Sequence, residues 1–448
     1  MLRTLVSLAI LAALAWVAVW FTDHPGWVTI RWRDYEVATS FAVLVVVVAG
    51  IAVVVAVVYH GWRWLKGGPR RYLARRAIER RERGYRALTD GLVAVAAGDP
   101  KKAQEFGRKA GHLIDNPFNL LLLAQTAQLR GDEAAAKRTF RAMLDHPETR
   151  FLGLRGLLVQ ATKAGDWKAA LEYAREAYAL RPDTEWAAEA LFDLEARAGD
   201  WLGAQRTLEA ASRHKLIGGT EGARRRAVVL AERGRAAEAD GRRDEAATLY
   251  QEAHRLAPEL AFAAARAAAL ATNEGRPRAA ARIVERAWRA GPHPDLAVAY
   301  LAIHADEPAI ARLKRIERLA ALTPGDAEAD LAYAEAALAA ELWGTARQHL
   351  ETVLAARPSR RAFRLMATLE EHEHGDGEAV RRWLERAASA PPDPAWICRE
   401  CAAVAAEWHG TCPACGAFDA LEWKAPPAPR ALAPAEAPAA IEAPRDAG

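Results

Sequence analysis

At 448 residues the chain exceeds one ordinary globular core, a limit that a row of neighbour-packed units escapes. The formal net charge is +4, yet residues 63–86 alone hold ten basic and two acidic side chains. The remainder is therefore net acidic, which excludes nucleic-acid binding by a basic body.

Residues 5–21 are uncharged and apolar apart from Ser7, and residues 37–59 are 23 in a row without a charge. A bilayer span needs about 20 apolar residues, so two transmembrane helices are expected. Arg3 and the Ala13-Leu14-Ala15 string also fit a cleaved signal peptide. The apolar run continues past that string to Phe21, which favours retention as an anchor. Trp16, Trp20, Trp27, Trp32, Trp62 and Trp64 cluster near the span ends, as interfacial aromatics do. Between the spans, Val28-Thr29-Ile30-Arg31-Trp32 and Tyr35-Glu36-Val37 alternate around Arg33-Asp34, the pattern of a small hairpin. The basic block at 63–86 follows the second span directly. The positive-inside rule then puts both chain ends on the cytoplasmic side of an inner membrane, with the short loop outside. The block is expected to form a basic helix at the anionic lipid surface.

From about residue 87 to 392 the chain repeats. Gly98, Gly131, Gly165, Gly199, Gly241 and Gly275 recur at steps of 33, 34, 34, 42 and 34 residues, and the phase returns at Glu341 and Gly375. Five residues after these marks stand Ala103, Ala136, Ala170, Ala204, Ala246, Ala280 and Ala346; twelve after, Ala110, Ala177, Ala211, Ala253, Ala287 and Ala387. Seventeen after come Pro182, Pro258, Pro292, Pro358 and Pro392. This is the signature of tetratricopeptide repeats, helix pairs that stack into a superhelical solenoid with a concave groove. Gly ends the first helix in a left-handed turn, Ala lets two backbones approach, and Pro stops the second helix. Few β-branched residues lie beyond the N-terminus, so an all-α protein is expected. The 42-residue step implies an insertion, assigned to a loop at residues 214–220, and a unit near Pro308 has lost its marks. Trp167, Trp201 and Trp343 fall where packing aromatics are expected between the helices of a pair. His372-Glu373-His374 reads as a surface helix terminus, with metal or haem contact as the alternative.

Cys398, Cys401, Cys412 and Cys415 form two Cys-x2-Cys pairs separated by ten residues. Each pair makes a knuckle whose thiolates grip one metal, and two knuckles complete a tetrahedral S4 site. Pro413 and Gly416 suit the tight turn. The site calls for one structural Zn, with Fe as the other candidate. Two disulfides are the competing reading, disfavoured in a reducing cytoplasm. The module spans 393–424, and the Pro/Ala-rich stretch at 425–448 is expected to be a disordered tail.

Two short-looped spans, a basic stretch and cytoplasmic repeats together resemble the HemY family of haem-biosynthesis-associated inner-membrane proteins. The resemblance lies in the first span, the loop Gly26-Trp27-Val28-Thr29-Ile30-Arg31-Trp32-Arg33-Asp34-Tyr35-Glu36-Val37, the second span and residues 70–111. It implies a non-catalytic membrane partner of late haem-pathway enzymes such as ferrochelatase. The cysteine module, with Trp396-Ile397-Cys398, Cys412-Pro413-Ala414-Cys415 and Leu421-Glu422-Trp423, is similar to the rubredoxin-like end of the LapB family. Those membrane-anchored repeat proteins regulate lipopolysaccharide synthesis and present an enzyme to a membrane protease. No Ser/His/Asp set, paired-carboxylate pocket or phosphate-cradling loop stands out, so a scaffold is expected rather than an enzyme. A haem carrier using His or Cys ligands is the remaining alternative.

Overall fold

The computed structural model describes residues 12–13, 15–17, 19–20, 26–33 and 35–426. The chain forms two compact units, Met1–Thr139 and Phe140–Gly448.

In the first unit, β1 (Trp27–Trp32) and β2 (Tyr35–Ser40) pair antiparallel from Trp32↔Tyr35 to Trp27↔Ser40, the hairpin that the alternation predicts. Arg33 makes the turn at φ +57°, and Arg31 pairs with Glu36 across the strands. Helix α1 (Phe41–Ala96) follows without a loop, Phe41 N–H donating to Gly26 O at 2.8 Å. Within its first 23 residues, Phe41–Arg63, an 18-residue stretch has a mean hydropathy of 3.3, and none of the 23 is buried, so this helix is long and apolar enough to cross a membrane. It is the one such helix among the described residues. The expected start at Val37 is corrected, because Val37 to Ser40 spend their backbone bonds on the hairpin. Most of the first expected span, 5–21, lies outside the described residues.

The basic block is helical, as expected, and α1 runs unbroken through it to Ala96. The buried residues Gly84, Ala87, Leu88, Gly91 and Ala94 then trace one face against α2 (Pro100–Leu113) and α3 (Phe118–Leu129). That spacing is the stripe of a helix packed on one side. Close approach explains Gly91, where an added Cβ would stand 2.4 Å from Leu122 Cδ2. Arg80 Nη2 donates to His112 O at 2.8 Å, so one arginine of the block closes the first helix pair.

The second unit begins within α4 (Glu133–Ala142) and a short 3-10 turn, Met143–Asp145. Seven helix pairs follow. They are α5 (Pro147–Lys163) with α6 (Trp167–Leu180), α7 (Glu185–Arg197) with α8 (Trp201–Arg213), and α9 (Gly219–Ala239) with α10 (Arg243–Leu256). Next come α11 (Ala261–Asn273) with α12 (Pro277–Ala290) and α13 (Pro294–Ala302) with α14 (Ala309–Ala320). The row ends with α15 (Ala327–Ala339) and α16 (Trp343–Ala356), then α17 (Arg360–His374) and α18 (Gly377–Ser389).

The periodic marks do what their chemistry requires. Each phase glycine has φ between +63° and +77°, and Asp99, Asp166, Asp200 and Asp376, one residue on, cap the next helix through backbone N–H groups. All seven alanines at the first small position, from Ala103 to Ala346, are 0% exposed. A larger side chain there would force the paired helices apart. Glu341 keeps the phase without being glycine, at φ +58°. A non-glycine residue costs about 1 kcal/mol in that region. Glu341→Gly is therefore expected to stabilise the repeats by up to that amount in a denaturant titration; a lower midpoint would contradict the strain.

The expected loop insertion at 214–220 is corrected too. The added length goes mainly into α9, which has 21 residues where α7 has 13, leaving a short turn in which Lys215 takes φ +59°. The unit near Pro308 is present as α13 and α14, but α13 is only 9 residues long and no left-handed glycine separates the two. The fold is mostly helical rather than all-α, since a three-stranded sheet follows α18. Of the expected tail, all but residues 425–426 lies outside the described residues.

Candidate metal centre

After α18 the chain makes β3 (Ala395–Cys398), β4 (Val404–Ala405) and β5 (Leu421–Lys424), antiparallel in the order β4-β3-β5. Strand β3 delivers Cys398 into a knuckle that the second cysteine pair repeats bond for bond. Cys398 O accepts from Ala402 N–H at 3.0 Å and Cys412 O from Gly416 N–H at 2.8 Å. Cys398 N–H donates to Ala403 O and Cys412 N–H to Ala417 O, both at 2.9 Å. Each turn needs a left-handed residue, Ala402 at φ +58° and Gly416 at φ +72°.

The two knuckles bring all four expected cysteines together. Their sulfurs lie within 4.8 Å of one another, with Cys398–Cys415 and Cys401–Cys412 each at 3.7 Å. All four thiols are free, so the disulfide alternative does not hold. A tetrahedron of ~2.3 Å metal–sulfur bonds has edges of about 3.8 Å, so the donor set fits one four-coordinate ion. Burial opposes ionisation of Cys412, but N–H groups of Cys415 and Ala414 and the neighbouring thiols outweigh it and bring the thiol to about 7. At Cys415 the Ala417 N–H pulls down, while burial and the other three sulfurs push the thiol to about 12. Four sulfurs this close cannot all be thiolates without a cation among them.

The ribbon formed by these strands does not hang free. It docks on the first helices of successive pairs. Arg197 of α7 donates to Cys415 O at 2.6 Å, which ties the repeats to a knuckle backbone. Arg224 of α9 forks onto both oxygens of Asp419 at 2.9 Å each, and Glu232 accepts from Gly410 N–H at 2.6 Å. Arg235 donates to Trp408 O and lies 2.6 Å from His409 Nδ1. Between these polar contacts, Trp408 is 2% exposed and stacks on Phe262 of α11 with ring centroids 4.9 Å apart. Phe418 meets Phe192 edge-on at 4.8 Å, and His293, at the start of α13, sits 4.4 Å from Trp423 and 5.3 Å from Trp396. Burial holds the His293 imidazole below the usual range, with Asp295 pulling the other way.

Sequence reasoning missed every docking residue outside the knuckles. A signal existed: Trp396, Trp408, Phe418 and Trp423 are more aromatic surface than a ribbon of about thirty residues can bury in itself. Of the expected packing tryptophans, Trp201 lies half-buried against the core cluster that includes Phe192 and Leu208, and Trp343 lies parallel to His372 at 6.1 Å. Trp167 departs from the packing role: it is 39% exposed and carries the Arg197 guanidinium 3.6 Å above its ring. His372 and His374 end α17, with His374 Nδ1 3.4 Å from Glu370, before the left-handed Gly375.

Residues 26–131 match the family model described as HemY protein N-terminus, and residues 396–422 match the rubredoxin metal binding domain named for LapB. Over 99% of both chains, the protein is 29% identical to a probable magnetosome protein, Mms48, of Magnetospirillum gryphiswaldense. It is 30% identical to protein HemY of Escherichia coli over 31% of this chain and 35% of that one. A tetratricopeptide repeat protein of Cytophaga hutchinsonii superposes on 54% of this chain and 95% of its own, at 14% identity and a TM-score of 0.32. That superposition is loose, so the repeat assignment rests on the helix pairs themselves.

Proposed function

We propose that the chain is a non-catalytic adaptor of the inner membrane, whose helix pairs bind partner proteins beside the bilayer in a late step of haem synthesis. The single observation behind the adaptor reading is the continuity of α1: one helix holds both the apolar span and the first buried repeat face. From Arg63 to Gly84 that helix rises about 30 Å, so the first repeat is held at a fixed reach from the span. A tether of this kind raises the effective concentration of partners on the same surface, so modest contacts suffice. Arg63, exposed where the span ends, supplies a lipid contact within roughly a 10 Å screening length of the bilayer. The four thiols hold a structural Zn²⁺, whose chemistry is to close the knuckles and neutralise their charge.

The haem assignment draws on the HemY N-terminal match, which makes ferrochelatase and its neighbours the partners to test. The relative that matches from end to end bears a magnetosome name, so likeness over the whole chain supports the architecture more than any one pathway. The rubredoxin match favours a second reading, a LapB-type regulator of lipopolysaccharide synthesis. A deletion strain separates them. Under the haem reading it accumulates porphyrin precursors while purified pathway enzymes keep their activity. Unchanged porphyrins with altered lipopolysaccharide would transfer the assignment to the second reading. A chain lacking residues 1–62 should bind its partner yet rescue poorly, and a cysteine placed at Gly26 should label only from outside. Full rescue by the untethered chain would reject the membrane adaptor under either pathway.

A further inference from the structure

Beside the docked ribbon, the second unit carries an open cavity of about 970 Å³, in the size range of ligand pockets. One wall is a face of α5 bearing Arg155, Leu158, Val159 and Lys163; Trp167 and Trp186 flank it, and the ribbon's Gly416 to Asp419 form the far side. The charges here are unevenly satisfied. Arg224 is held by Asp419, Arg225 by Glu221, and Arg399 by Glu400 and Glu422. Arg197 is engaged with Cys415 O and the Trp167 ring. Arg155 and Lys163 form no ion pair among the described residues; Arg155 merely rests 5.3 Å from the Trp186 ring centroid. Asp193 of α7 also lines the cavity and is crowded by the surrounding protein. That crowding raises its carboxyl to about 6 against the pull of Arg225. Among the described residues, the cations lining this cavity that neither an ion pair nor a backbone carbonyl engages are thus the two on α5, Arg155 and Lys163.

The spacing sharpens the chemistry. Arg155 and Lys163 are eight residues apart on one helix, a rise of about 12 Å, with Leu158 and Val159 between them. An extended peptide advances about 3.3 Å per residue, so positions i and i+4 lie about 13 Å apart on one face, with i+2 between them. We propose that this cavity binds an extended segment of a partner protein with the pattern acidic–x–apolar–x–acidic. The two acidic side chains pair with Arg155 and Lys163, and the apolar one rests on Leu158 and Val159 beside Trp186. The proposal deepens the adaptor reading and rests on it.

The test is selection of phage-displayed random dodecapeptides on the full-length protein in lipid nanodiscs, followed by fluorescence polarisation with the enriched peptide. Enriched sequences should carry the two acidic residues four apart around an apolar one. Arg155→Glu combined with Lys163→Glu should weaken binding about tenfold or more, and a peptide with lysine at the two acidic positions should bind the reversed protein again. Both positions are exposed, so the variant folds, and the rescue separates charge recognition from structural damage. Enriched peptides without the acidic pair, or binding indifferent to the reversal, would overturn the cavity proposal and leave the adaptor reading standing. No enriched peptide at all would overturn both.

Discussion

Stripping the metal with a chelator, or replacing Cys415 with Ser, is expected to unfold residues 395–424 while the helix pairs of the second unit keep their structure. The ribbon has three strands of 4, 2 and 4 residues, too few ladder bonds and too little private core to hold a fold. Binding of a structural metal contributes about 10–16 kcal/mol to such modules, far more than the docking contacts return. Without it, the thiols of Cys398, Cys401, Cys412 and Cys415 remain crowded within 4.8 Å with no shared ligand. Loss of a single ligand breaks the closed tetrahedron. Purified protein should contain about one metal per chain, and hydrogen exchange should turn fast across the ribbon once it is removed. Amides of the ribbon that stay protected after complete removal would refute a structural role for the metal.

The parts of the fold that the sequence announces are those built from nearest neighbours. Gly165, Ala170 and Ala177 serve one turn and one helix contact within a single unit, so their meaning is complete in thirty-four letters. The same holds for the knuckles, whose ligands and turn residues lie within nineteen positions from Cys398 to Gly416. The continuity of α1 is harder to read, because Gly67-Gly68-Pro69 looks like a break and proline at that point ordinarily ends a helix. The longer α9 is hidden for a related reason: Gly218-Gly219 reads as loop, but Gly219 opens the helix from a left-handed backbone at φ +67°. Docking of the ribbon is the least legible. Arg197 and Cys415 are 218 residues apart, and Arg224 sits in an Arg224-Arg225-Arg226 run that reads as a solvated face. Only the partner across space shows that Arg224 is committed to Asp419 while Arg225 turns to Glu221. Periodicity describes how a unit meets its neighbours and is silent about what folds back onto the row.

Trp408→Ala is expected to release the ribbon from the repeats with its metal still bound, which separates docking from metal-dependent folding. Trp408 lies outside both knuckles, so the sulfur cluster keeps its ligands and its turn geometry. Its ring is almost wholly buried against Phe262, and the Arg235 guanidinium stands 5.7 Å from the ring centroid. Truncating a tryptophan in such a setting costs about 3–5 kcal/mol, a large share of what a small interface can hold. Arg224→Ala should act in the same direction but less, about 1–2 kcal/mol, because its pair with Asp419 retains some solvent access. Arg224 and Trp408 share no ion-pair or ring-contact partner among the described residues, so in the double variant the costs should add unless the ribbon has already left. The readouts are metal content, expected to stay near one per chain, and proteolysis of the segment between α18 and β3, expected to accelerate. Slow cleavage and full protection of the ribbon in the double variant would mean that the ribbon is held by contacts other than those of Trp408 and Arg224. Loss of metal in parallel with faster cleavage would instead show that docking and metal binding form one cooperative unit, in which the repeats hold the knuckles closed.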